Sequence, residues 1–390
     1  MKKWERVRVG DVAVMKRGKY VTRKDTRLGN IPVILGGQEP AYYCDESNHE
    51  GPCVVISRSG ASAGFVSYWD EPIFVTDGFL FEANERCDIR FLYYCLKSNQ
   101  SLLGGMQNGS GIPHVQGAAL KQFPISLPPL SEQRKIANEL SAIDRKIALN
   151  RKRIATLEAM AKEIYDYWFV QFDFPDAHGR PYKSSGGAMV YNPDLKREIP
   201  KGWEVVKLPQ TADFLFGYPF DSLRFNSRGE GMRIVRIRNV KDGYSNDFTT
   251  EEAPSEYIIR NGDLLVGMDG YFDMNIWVGG DAYLVQRSCR VKARDSTYQG
   301  YVRRFVAPPI KQLEKTLLGA TVAHLGKTHL DDIDIVVPPK GMRAFQMLND
   351  LDASIVQQGL EVAKLVALRD FLLPLLMNGQ VKVGLSHGAG

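Results

Sequence analysis

The stretch SEQRKIANELSAIDRKIALNRKRIATLEAMAKEIYDYW, residues 131–168, decides the fold. Ile136, Leu140, Ile143, Ile147, Asn150, Ile154, Leu157, Ala161, Ile164 and Trp168 follow one another in unbroken steps of four and three. That spacing puts all ten on one stripe of an α-helix, and nearly five heptads in succession describe a coiled-coil seam. The remaining positions are rich in Lys, Arg, Glu and Gln, as a solvated face requires. Pro128-Pro129 stops whatever precedes, and Ser131 is placed to cap the first turn. A helix over 131–169 would be about 58 Å long at ~1.5 Å per residue.

The chain contains this device twice. At an offset of 208, Ala344, Leu348, Leu351, Ile355, Gln358, Val362, Leu365, Arg369, Leu372 and Leu376 take the same steps. Two unrelated amphipathic helices, each packed on its own domain, have no reason to sustain the pattern this long. The second helix is predicted to end at Gly379, to kink at Pro374 and to fray where Arg369 interrupts the seam. Asn150 and Gln358 fall at matching mid-seam points. If the helices run antiparallel, the two amides could meet and fix register at some cost in stability.

Outward from the helices, the echo continues. Trp4 in KKWERVRV answers Trp203 in KGWEVVKL, and at the same 199-residue offset Gly18 answers Gly217. At an offset of 210, VVISRSG (54–60) lies over DLLVGMDG (263–270), and PISLPPL (124–130) over DIVVPPK (334–340). Short β-branched and aromatic runs such as CVVISRS, PIFVTDGFLFEA and RIVRIRNV alternate with Gly- and Asn-bearing turns, which reads as strands. The expected architecture is α+β, with two similar strand-rich domains separated by two long antiparallel coiled-coil helices in a pseudo-twofold internal repeat. The boundaries are 1–130 and 201–340 for the domains, 131–170 and 341–379 for the helices, and 380–390 for a tail. Residues 171–200, rich in Pro, Gly and Ser, read as a connector.

Composition excludes several functions. The 390 residues carry a formal charge of +5, which permits an anionic partner without demanding one. No apolar run approaches the roughly 18 residues needed to cross a bilayer, and the charged first residues do not form a signal peptide. Five scattered cysteines without a C-x-x-C pair argue for reduced thiols, hence a cytoplasmic location, and against structural zinc. No metal site is expected.

Catalytic motifs are missing or out of context. YNPDL (191–195) lacks the second proline of an amino-methyltransferase motif, and LFGYPF (215–220) lacks the F-x-G-x-G of a cofactor loop. GASAG (60–64) fits G-x-S-x-G as a string, yet strand-like sequence follows where a nucleophile elbow needs a helix. Gly326-Lys327-Thr328 ends like a phosphate-binding loop, but Thr321 stands where its first glycine belongs. The first copy has Gln116 in place of Gly326, so the stretch marks a shared turn; Lys327 is expected to touch a DNA phosphate or nothing. No catalytic residue is assigned.

Binding residues remain. The first 27 positions hold ten Lys or Arg against three carboxylates, and RIVRIRNV clusters three arginines with an asparagine. Arg, Lys and Asn interleaved with Tyr suit phosphate contacts and base-edge hydrogen bonds. The candidates are Arg17, Lys19, Tyr20, Arg23 and Arg58 in the first domain, and Tyr218, Arg224, Arg236, Arg238 and Asn239 in the second. Two similar readers on a rigid helix pair could read two half-sites of one duplex.

ISLPPLSEQRKIANELSAIDRKI (125–147), EIYDYWFVQF (163–172), YNPDLKREIPKGWEVVKL (191–208) and RDFLLPLLMNGQV (369–381) resemble the specificity subunit of type I restriction–modification systems. The second double proline departs from that pattern, because KGMRAFQ follows it in place of the acidic-Gln signature. The resemblance implies two target recognition domains reading a bipartite, asymmetric double-stranded DNA site, with the helices as the ruler between its halves. It implies docking of two adenine methyltransferase subunits and, through them, of motor-nuclease subunits. S-adenosylmethionine, ATP and magnesium would then belong to those partners and no cofactor to this chain. A protein-binding coiled-coil scaffold and a divergent self-contained DNA methyltransferase are the alternatives.

Overall fold

The computed structural model describes residues 4–106, 113–317 and 323–381. Thr321 and most of the tail therefore lie outside the described residues. The chain divides into two compact units, Met1–Lys146 with Leu365–Gly390, and Ile147–Lys364.

The first unit is built on an antiparallel sheet of β1 (Ala13–Arg17), β2 (Cys53–Ser57), β3 (Val66–Trp69) and β4 (Gly78–Ala83), in the order β1-β4-β2-β3. All five residues of β2 are buried. Alternation explains how one strand serves two cores: Val54 and Ile56 face one, while Cys53 and Val55 face the other with Ile34, Ile73, Val75 and Leu80. Helix Ile89–Ser98 covers the first face with Phe91, Leu92 and Cys95, and the Asp88 carboxylate caps it by accepting from the Arg90 and Phe91 amides. Strand Glu5–Arg8 pairs antiparallel with Pro124–Leu127, which leads into the first long helix.

The second unit repeats the sheet. β5 (Ala212–Phe216), β6 (Leu264–Gly267), β7 (Met274–Ile276) and β8 (Ser288–Ala293) take the order β5-β8-β6-β7, again antiparallel throughout. Leu264 and Val266 face the main core while Leu265 faces a second one with Trp277 and Leu284. A five-stranded sheet lies alongside, containing one parallel pair between Met232–Val235 and Ala282–Leu284.

The long helices run over Leu130–Tyr165 and Arg343–Met377. The first ends in a π-turn, Asp166–Val170, which keeps Phe169 in the core against Tyr301 and Phe345 at ring distances of 4.7 and 5.6 Å. Ile136, Ala137 and Leu140 share a core with Leu373, Leu376 and Met377 in the first unit. Ala161 and Tyr165 share one with Ala344 and Leu348 in the second. In each unit the start of one long helix shares a core with the end of the other. Pro374 lies inside the second helix, and Gly379 beyond it adopts a positive φ of 66°.

Two expectations need correction. Arg369 does not fray the seam: its Nη1 reaches Asp144 Oδ1 at 3.0 Å, and the same carboxylate accepts from Tyr94 Oη at 2.6 Å. An arginine reaches across a seam when an acid waits on the other helix. Residues 171–200 are no loose connector either. Met189–Asn192 pairs with Arg197–Pro200, and Phe174 stacks on Trp203 and Tyr182 at 5.3 and 4.6 Å. Glycines at positive φ, Gly179 and Gly186, make the turns, and the aromatic rings supply the burial that holds them.

Asn150 is fully buried, and neither its Oδ1 nor its Nδ2 has a protein partner; Gln358 Oε1 is buried and equally unpartnered. The two amides make no hydrogen bond to each other.

Candidate nucleic-acid interface

In the first unit, three candidates converge on one end of the sheet. Arg17 closes β1 opposite Phe79. The chain then crosses its neighbour so closely that a Cβ on Gly18 would run into the Thr76 carbonyl, and Gly18 N donates to Gly78 O at 2.9 Å. Only glycine permits that approach. Lys19 N donates to Val75 O at 3.0 Å, which leaves its side chain exposed beside the sheet end. Arg58 leaves β2 at the same end, where its backbone N donates to Asp77 O and its Nε to Asp77 Oδ1 at 2.8 Å. The Ser59 hydroxyl donates to the other carboxylate oxygen. Tyr20 is 84% exposed, and Arg23 opens a short 3₁₀ turn closed by Asp25.

The second unit holds its candidates differently. Tyr218 stands where Lys19 does, with its N donating to Leu284 O at 2.9 Å and its ring against Phe220 and Tyr257. The other four lie on a turn and at a short helix that flank strands of the neighbouring sheet. Arg224 is exposed on the turn Ser222–Arg224. Arg236 holds its guanidinium 5.3 Å from the Phe225 ring centre. The Asn239 side-chain oxygen accepts from the Arg236 amide at 2.9 Å and so caps helix Ile237–Val240. Arg238 Nη2 reaches both Asp247 carboxylate oxygens, at 2.9 and 2.7 Å.

At the sheet end itself, this unit places residues that sequence reading missed. Arg287 Nη1 lies 3.1 Å from Asp269 Oδ2, and His324 Nδ1 lies 2.6 Å from Asp269 Oδ1. Arg287 has a φ of 69°, an uncommon conformation for a residue with a Cβ. Two backbone hydrogen bonds beside it recur in both units. Val115 N to Arg58 O (2.9 Å) becomes Leu325 N to Met268 O (2.7 Å), and Gly60 N to Pro113 O (3.0 Å) becomes Gly270 N to Ala323 O (2.9 Å). Each position moves by 210. The bridge Ser59–His114 becomes Asp269–His324 by the same shift. A signal was available: VTDG (75–78) laid over VQRS (285–288) at that offset puts Arg287 on Asp77. Lys327 is exposed and begins a five-residue helix just beyond His324.

A cavity of about 450 Å³ is lined by Lys162, Arg303, Arg304 and Lys311 among others, and each pairs with a carboxylate of its own unit. Among the described residues, no group of three or more His, Cys, Asp or Glu is placed to hold a metal ion. Among them, too, no helix is long and apolar enough to cross a membrane.

Comparison with known proteins places these features. Residues 1–159 match the type I restriction modification DNA specificity domain. The chain is 25% identical to the MjaIX specificity subunit of Methanocaldococcus jannaschii, over 84% of this chain and 78% of that one. It is 26% identical to the MjaVIII specificity subunit of the same organism, over 92% of each. Its fold is similar to that of the type I restriction-modification S subunit of M. genitalium, with a TM-score of 0.62 at 17% identity over 98% of this chain and 97% of that one.

Proposed function

We propose that this chain, which belongs with the specificity subunits of type I restriction–modification systems, is the non-catalytic DNA reader of such a complex. The observation that carries this reading is the duplicated sheet end. Two sheets of the same strand order, with backbone hydrogen bonds at the sheet end that recur at one offset, each present cations at the same corner. A duplicated reader suits a site in two unlike halves, because the scaffold repeats while the side chains differ. On this reading the chain is an internal repeat, its long helices form an antiparallel coiled coil, and that coil sets the gap between the half-sites. It docks two adenine methyltransferase subunits and, through them, motor-nuclease subunits. S-adenosylmethionine, ATP and magnesium would be bound by those partners and no cofactor by this chain.

Three measurements test it. The purified chain alone transfers no methyl group and gains transfer with its cognate methyltransferase subunit; transfer by the chain alone refutes the proposal. Its affinity for duplex DNA falls steeply with salt, by roughly 10³ to 10⁵ between 50 and 200 mM if it neutralises 6–10 phosphates. A flat salt response would instead fit a protein-binding scaffold. Methylome sequencing of the source strain gives one bipartite, adenine-methylated motif.

A further inference from the structure

The two sheet ends hold a matched device. In the first unit Asp77 grips Arg58 with one carboxylate oxygen and accepts the Ser59 hydroxyl with the other. In the second, Asp269 grips Arg287 with one oxygen and His324 with the other. The offset of 210 carries Ser59 onto Asp269 and Asp77 onto Arg287. Cation and carboxylate have therefore exchanged strands while the ion pair has stayed in place. Packing does not require this, because the Arg287 side chain is 68% exposed and solvent-facing pairs add little stability. Arg287 also sits at positive φ, where glycine would be easier.

A surface arginine left free swings and binds any phosphate. Here one nitrogen of each guanidinium meets a carboxylate, Arg58 through Nε at 2.8 Å and Arg287 through Nη1 at 3.1 Å, which limits the swing and leaves the other N–H donors free. That planar fork matches the paired O6 and N7 acceptors of guanine in the major groove. Resting on the DNA-reading function above, we infer that Arg58 and Arg287 are base-reading arms, each held by its carboxylate for a guanine in its own half-site. Asp77 and Asp269 are positioning residues, and Ser59 and His324 orient the carboxylates from behind.

The test is selection from a random duplex library by the full-length chain and its variants, scored position by position and repeated at several salt concentrations. Arg287→Lys keeps the charge but not the fork. The preference for one G·C pair in one half-site is expected to drop by roughly 10- to 100-fold, with the salt slope unchanged. Arg58→Lys does the same in the other half-site. Arg287→Gly removes the arm on a backbone glycine adopts freely, and gives the same loss should the lysine variant misfold. Asp269→Asn loosens preference at the same base pair while leaving Arg287 intact. If the wild-type chain selects a motif and the Arg287 variants keep every preference in it, the arm is wrong and the DNA-reading function stands. A uniform loss across sequences, with the salt slope reduced by about one, makes Arg287 a phosphate contact and overturns the inference. If the wild-type chain selects no sequence, the function falls and the arms with it.

Discussion

Asp352 anchors the second long helix through two part-buried arginines, and its removal is the sharpest stability test. Arg303 and Arg304 lie side by side on helix Gln299–Leu317, with side chains only 12% and 10% exposed. Asp352, on Arg343–Met377, is 14% exposed and accepts from both; Arg304 Nη2 and Nη1 reach its two oxygens at 2.8 and 3.2 Å. Arg303 also pairs with Glu158 on the first long helix. In Asp352→Ala, Arg303 keeps Glu158, whereas Arg304 keeps only the Gly300 carbonyl at 2.9 Å. Removing one partner of a buried pair costs about 3–5 kcal/mol, chiefly because the remaining charge stays desolvated. Since Glu158 still offsets one guanidinium, the lower end applies, about 3 kcal/mol. At about 2–4 °C per kcal/mol for a unit of this size, the melting temperature should fall by roughly 6–12 °C. Scanning calorimetry of the full chain measures it, and hydrogen exchange across Gln299–Leu317 locates it. Asp352→Asn retains an acceptor oxygen and should lose less. Glu158→Ala, at 41% exposure, should lose least. An Asp352→Ala chain within about 1 kcal/mol of wild type would refute the reasoning, as would Glu158→Ala costing more.

The buried amides and the thiols give two further outcomes. Asn150→Leu with Gln358→Leu should raise the melting temperature or scramble helix register, since an unpartnered buried amide costs about 1–3 kcal/mol; no change in thermal melting or register sinks the idea. All five cysteines are buried, and burial pushes the thiols of Cys53, Cys87 and Cys289 up to about 12 and that of Cys95 well up. The native chain should therefore react slowly with a disulfide reagent at pH 8 and fully once unfolded; rapid labelling of these four in the native chain would contradict it. The sign for stability follows from protons held only by the folded state. This contribution is complete below the unfolded thiol value near 9 and is lost as pH rises towards about 12, so alkaline denaturation should steepen across that window.

Much of the fold was legible because burial imposes a period. The ten positions of each seam are buried or half-buried without exception, and β2 reads as a plain apolar run because both its faces are covered. What failed was inference from single residues. Arg369 looked like a break in the seam because its partner, Asp144, lies on the other helix and has no periodic signature. Pro, Gly and Ser made residues 171–200 look like a connector, although Phe172, Phe174 and Tyr182 in the same stretch carried the burial that folds it.

The interface was less legible for a related reason. Sequence proximity grouped Arg236, Arg238 and Asn239 as readers, yet local structure engages two of them, Arg238 with Asp247 and Asn239 as a helix cap. Residues that hold a fold repeat with a period and can be found by counting. Residues that read a partner sit where strands end, and there no period constrains them. Arg287 does not stand out by residue type, because its counterpart in the first unit is the carboxylate Asp77 and not the arginine. The two ion pairs lie at corresponding strand ends with the cation on different strands. Alignment by residue type passes over such a pair, whereas alignment by backbone contact finds it.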